Sequence, residues 1–65
     1  MEISMTTQEF YTFSSELSTL SYAIGTNKVS LKIAMEELEK ANLSDYYKNV
    51  IKILITELNE HRKIN

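Results

Sequence analysis

No proline occurs anywhere in the 65-residue chain, and its one glycine is Gly25. Proline is the strongest breaker of a helix and glycine the next, because the first removes a donor and clashes with the preceding turn while the second loses the most backbone entropy. The backbone is therefore free to stay helical over long stretches. Its breaks have to be read from Gly25 and from clusters of polar turn residues. Thr6-Thr7-Gln8-Glu9 fits a capping box, with Thr6 as N-cap and Glu9 three residues on. Phe10, Phe13, Leu17, Leu20 and Ile24 come next at spacings of 3, 4, 3 and 4, which places five large apolar side chains on one stripe of a helix. Gly25 is expected to end it in the left-handed conformation, with Asn27 as a candidate cap for the next helix.

Leu31, Ala34, Met35, Leu38 and Ala41 share a helical face and predict a second helix from about Val29 to Ala41. Val29, Leu31 and Ile33 also alternate with polar residues as a strand would, but a lone strand has nothing to pair with. Asn42-Leu43-Ser44-Asp45 forms the next break, with Ser44 or Asp45 as N-cap. A third helix runs to about Arg62 on a stripe of Tyr47, Val50, Ile51, Leu54, Leu58 and His61. The prediction is an all-α single domain over residues 1–65, with three short helices at about 6–24, 29–41 and 45–62. Phe10, Phe13, Leu17, Leu20, Leu31, Leu38, Val50, Leu54 and Leu58 are its expected core.

A chain this short buries only about 60% of the surface its unfolded form exposes. Small proteins usually add disulfides, a metal or self-association. With no cysteine the first is closed, and one histidine supplies the second poorly. Self-association or docking on a partner remains, although some domains of this length fold alone, and the helical bundle is expected to be completed by dimerisation. Two faces point the same way. The first helix carries one charge, Glu16, between Phe10 and Ile24, and its far side holds Tyr11, Ser15, Ser18 and Tyr22 at spacings of 4, 3 and 4. Tyrosine joins a large apolar area to one polar tip, a combination common at interfaces. A solvated Ser/Thr face with two exposed tyrosines is the plainer alternative. On the third helix Tyr46, Val50 and Ile53 widen the apolar arc on one side and Ile51 and Ile55 on the other, to about 200°, where a one-sided helix needs little more than 100°. Tyr11, Ser15, Ser18, Tyr22, Ile51, Ile53 and Ile55 are therefore the expected contact residues, unless the third helix is simply covered by the other two.

Catalytic chemistry is poorly supplied. His61 is the single imidazole, and Glu57 one turn before it forms a pair of low specificity. Nothing marks any serine as activated by a base, and no glycine-rich loop exists to cradle phosphate. The expectation is a non-enzymatic protein with no metal and no cofactor. Seven Lys and Arg against nine Asp and Glu leave a net charge of −2, which gives no overall grip on nucleic acid. Lys48, Lys52 and Lys63 nevertheless share the polar side of the third helix, a modest stripe able to touch phosphates. No apolar run approaches the roughly 18 residues of a membrane span, and the first residues lack the pattern of a signal peptide, which predicts a soluble cytoplasmic protein.

Leu17 and Leu20, a break at Gly25, Asn27-Lys28, Leu38-Glu39, and Val50-Ile51-Lys52 followed by Leu54 and Leu58 form a pattern that covers roughly Leu17 to Leu58. It resembles the small helical biofilm-development and acid-resistance regulators of enteric bacteria, the YmgB/AriR group of two-component-system connector proteins. The resemblance implies a short all-α dimer that acts in bacterial stress and biofilm regulation by contacting signalling or nucleoid proteins. The functional expectation is a small regulator that works through protein–protein contacts as a homodimer. The alternatives are a DNA-associated transcriptional regulator using the lysine stripe, and a phage- or plasmid-encoded inhibitor that docks on a host or defence protein.

Overall fold

In the computed structural model the backbone of residues 5–64 and the side chains of residues 5–62 are described. Three helices succeed one another: α1 (Thr7–Gly25), α2 (Leu31–Glu39) and α3 (Asp45–Ile64). The all-α expectation holds, with one helix in each of the three expected segments. Phe13 packs edge-on against Tyr47, with ring centroids 5.8 Å apart, so α1 and α3 begin side by side. At the other end the link after α1 and the last turns of α3 line a common cavity. The two long helices therefore run parallel in direct contact, and α2 runs back antiparallel to them, packed against both.

The start of α1 obeys its sequence signature. Glu9 donates its backbone N–H to Thr6 Oγ1 at 3.0 Å, and Thr6 donates its own to Glu9 Oε1 at 3.1 Å. Each side chain thus satisfies a backbone N–H that the helix leaves without an acceptor. The end of α1 differs from expectation. Gly25 is still helical and has no positive φ; the left-handed residue is Asn27, at φ 64°. Lys28 N–H donates back to Ala23 O at 2.8 Å and Asn27 N–H to Ile24 O at 3.1 Å, the paired bonds of a Schellman closure. Thr26 Oγ1 donates to Tyr22 O at 2.7 Å and takes up another terminal carbonyl. Asparagine tolerates the left-handed region better than other residues with a Cβ, so the turn lands two residues after the glycine.

The second helix is shorter than its period. Ser30 is the N-cap, in place of Asn27, and its Oγ accepts from Ile33 N–H at 3.3 Å. Val29 lies before the helix and Ala41 after it. The C-terminal end tightens through Lys40 N–H to Glu37 O (3.1 Å) and Ala41 N–H to Leu38 O (3.0 Å). The third helix begins at Asp45, with the Ser44 carbonyl accepting from Lys48 N–H at 3.0 Å, and extends two residues further than expected.

Leu20, Ile24, Ala34, Leu38, Ile51 and Ile55 form the buried cluster, with Phe13, Leu17, Val29, Leu31, Met35 and Leu58 packed around it. Three placements correct the sequence reading. Ile51 and Ile55, expected at a contact surface, are fully buried within the chain's own core. Phe10 and Leu54, expected in the core, are 60% and 46% exposed. On α3 the buried line is Tyr47, Ile51, Ile55 and Asn59, turned by about 60° from the expected stripe at ~100° per residue. The lysines fit this register. Lys48 and Lys52 are both half-buried and bond to Glu39 at the end of α2. Their alkyl stems cover apolar surface while the ammonium groups reach a partner, so α3 presents its lysine side to α2.

Gly25 is helical and a Cβ added there meets nothing within 4 Å. Gly25→Ala therefore raises stability by about 0.5–1 kcal/mol in urea unfolding, while Asn27→Ala, forced to keep a left-handed backbone, lowers it by about 1–2 kcal/mol. A loss of stability in Gly25→Ala refutes this reading of the turn. In the core, Ile51→Ala costs about 2–5 kcal/mol. The corresponding change at half-exposed Leu54 costs about 1 kcal/mol or less, and equal losses at the two positions refute the register described.

Candidate functional site

The side chains with chemistry to offer are dispersed. Glu57 and His61 lie one turn apart on α3, both exposed. Among the described residues no group of three or more His, Cys, Asp or Glu is placed to hold a metal ion. No helix among them is long and apolar enough to cross a membrane. The three glutamates of α2 also diverge. Glu37 pairs with Lys40 at 3.3 Å, and Glu39 turns to α3.

The lysines expected to form a phosphate-contacting stripe are engaged within the fold. Lys48 Nζ donates to the Glu39 backbone carbonyl at 2.9 Å, closing the C-terminal end of α2 with a positive charge where the helix dipole favours one. Lys52 pairs with the Glu39 carboxylate. The Lys63 side chain lies outside the described residues. The hydrogen bond from Lys52, and then its charge, hold the Glu39 carboxyl below its ordinary value; desolvation opposes the shift and the Lys48 charge adds to it.

Apolar surface is what the chain does present. Tyr11 and Tyr22 stand 74% and 65% exposed on the outer side of α1, with Ser15 and Ser18 exposed between them. On α3, Ile53 is 64% exposed, and Tyr46 and Leu54 flank it at 55% and 46%. Tyr46, half-buried Val50, Ile53, Leu54 and Glu57 succeed one another at spacings of 4, 3, 1 and 3. They make an outward stripe with one carboxylate at its end. Tyr46 is held by an edge-on contact with Tyr47 at 5.3 Å, which joins the Phe13–Tyr47 pair into a short chain of rings. Burial, with smaller effects from Glu9 and Tyr46, raises the Tyr47 hydroxyl above its ordinary value.

Tyr11, Ser15, Ser18, Tyr22 and Ile53 thus lie at the surface, while Ile51 and Ile55 do not. Phe10 and Leu54 were hidden from sequence reasoning because their spacing assigns them to the core. For Leu54 the separating signal is the four-residue spacing Tyr47-Ile51-Ile55-Asn59, which competes with the stripe through Val50 and Leu54; Phe10, on α1, carries no such signal. No protein-family model, curated protein or solved structure matches the chain.

The Glu39 clamp sets a pH dependence. A carboxyl depressed in the folded state stabilises fully above its unfolded value, near 4.5, and that contribution vanishes as the pH falls through the lower folded value. Glu39→Gln therefore melts below the parent at pH 7, and the gap closes on acidification below about pH 4.5. Thermal melts monitored by circular dichroism across that range check it; a gap independent of pH contradicts the clamp.

Proposed function

We propose that this chain is a small non-enzymatic regulatory protein that works through protein–protein contacts and forms a homodimer across the outer stripe of α3. The observation that carries the reading is the exposed apolar surface of Phe10, Tyr46, Ile53 and Leu54. Their exposed fractions correspond to roughly 450 Å², taking full side-chain areas of about 150–250 Å². A stable interface of standard size buries about 800 Å² per partner and is about 60% apolar, which calls for about 480 Å² of apolar surface on each side. The α3 stripe supplies roughly two-thirds of that amount, and Phe10, on α1, most of the rest. A two-fold pairing lays the same patch against itself, as isologous dimers do.

The Tyr11, Ser15, Ser18 and Tyr22 face on the outer side of α1 is then left for a regulatory partner. Its two tyrosines and small hydroxyl residues suit close approach by another backbone. The resemblance to the YmgB/AriR group supports the regulatory half of the reading, and extends it to a cytoplasmic role in bacterial stress and biofilm control. The lysine stripe gives little support to a DNA-binding role, because Lys48 and Lys52 both bond to Glu39.

Sedimentation equilibrium from low to high micromolar concentration tests the dimer. The parent associates in that range, and Ile53→Glu or Leu54→Glu weakens association by about a hundredfold or more, since a carboxylate is placed in a desolvated contact. Tyr22→Ser, on the other face, leaves the dimer intact. A parent chain that remains monomeric at several hundred micromolar overturns the proposal.

A further inference from the structure

Six basic side chains are described, and their partners divide them into two sets. Lys40 pairs with Glu37, Lys52 with the Glu39 carboxylate, and Lys48 with the Glu39 carbonyl. The other three, Lys28, Lys32 and Arg62, form no salt bridge among the described residues. All three line one basin of about 490 Å³, where the α1–α2 link and the first turn of α2 meet the last turns of α3. Asn27, Ser30 and Asn59 add polar groups to its wall, and Glu60 is its one acid among the described residues. Three cations against one carboxylate leave two positive charges unbalanced there, in a chain whose net charge is −2.

The donors converge as well as the charges. Arg62 is half-buried; its Nη2 donates to Asn59 Oδ1 at 3.0 Å, and its Nε is shut away from solvent without an acceptor. A buried guanidinium N–H without an acceptor is an uncompensated donor, and a bound anion supplies what the fold withholds there. The basin also opens at the start of α2. There Ser30 Oγ takes the Ile33 N–H and Ser30 O the Ala34 N–H. The N–H groups of Leu31 and Lys32 have no acceptor within the helix, and the dipole is positive at this end.

We propose that this basin binds a phosphoryl group. Two unbalanced positive charges match a phosphate dianion better than a single carboxylate. Donors arriving from the α1–α2 link, the first turn of α2 and α3 suit a tetrahedral group better than a planar one. The phosphoryl group comes either as free phosphate or a small monoester, or on a phosphorylated side chain of a protein; the chemistry recognised is the same. The basin lies within one chain, so the site does not depend on the dimer.

The test is a nuclear magnetic resonance titration of the ¹⁵N-labelled full chain at constant ionic strength, with inorganic phosphate in one arm and a short phosphoserine peptide in the other. The expected result is saturable movement of the Leu31 and Lys32 amides and of the Arg62 Nε signal. Lys28→Gln and Lys32→Gln, both on exposed side chains, each weaken binding by about tenfold, the scale of one charge-assisted contact. Glu60→Gln moves the affinity in the opposite direction. A peptide that binds at least about tenfold tighter than phosphate identifies a phosphorylated protein as the source, and equal or weaker peptide binding identifies a small phosphate compound. Movement that stays linear without saturation in both arms overturns the proposal. So does a Lys28→Gln/Lys32→Gln double variant that binds as the parent does.

Discussion

Ile24, Leu38, Ile51 and Ile55 are the large side chains sealed completely from solvent, one from α1, one from α2 and two from α3. They are the point where all three helices meet, and the fold depends on their contact. The dependence is greatest for α2. Its nine residues fall short of the ~12–15 that make even a favourable isolated helix marginal in water, so it is held by what it touches. Ala34, fully buried, has a side chain small enough to let the α2 backbone come close, and Leu38 fills the space one turn on. Ser30 satisfies its first turn and Lys48 its last.

The second of those ties has a consequence for the surface. For Lys48 and Lys52 to reach Glu39, α3 has to turn that side toward α2. A helix has one circumference, and the side that turns away carries Tyr46, Ile53 and Leu54. The exposed stripe is therefore a product of the register that fastens α2, not an independent ornament. An exposed pair of this kind is individually weak and screened by salt. The register does not rest on it alone: Tyr47, Ile51 and Ile55 bury their side chains in the same orientation.

The helices themselves were legible in the sequence, since periodic apolar spacing and the Thr6/Glu9 capping box report local physics directly. The end of α1 was legible only as a place. Gly25 and Asn27 lie two residues apart, and either can take a left-handed backbone; which one does depends on where the core stops winding, here after Ile24. The register of α3 was not legible, because its apolar arc is wide enough for two alternative stripes. Treating Lys48 and Lys52 as solvent-facing favours the stripe through Val50 and Leu54. Allowing their stems to lie inside favours the one through Ile51 and Ile55. That choice needs Glu39, nine and thirteen residues away on another helix. The candidate contact residues divided accordingly. Tyr11, Ser15, Ser18 and Tyr22 depend on α1 alone and lie at the surface, whereas Ile51 and Ile55 depended on the register of α3 and lie inside.

The two surfaces of α3 also differ in the range over which they act. Apolar association is short-ranged and insensitive to the sign of the net charge. The basin at the far end works against the field of its own molecule, since the chain carries −2 and two copies carry twice that, −4. At physiological salt charges more than about 8 Å apart are largely screened, so the distant acids of α1 weigh little and the local excess of Lys28, Lys32 and Arg62 over Glu60 decides the potential inside the basin. An anion there is held by contact, not gathered from a distance. Recognition must then come from hydrogen bonds that a simple monovalent ion satisfies incompletely. The same locality suits the basin to a compact anion more than to extended polyanions such as a nucleic-acid backbone. Those need a track of cations spaced along their length, and the lysines that would continue the track along α3 are bonded to Glu39.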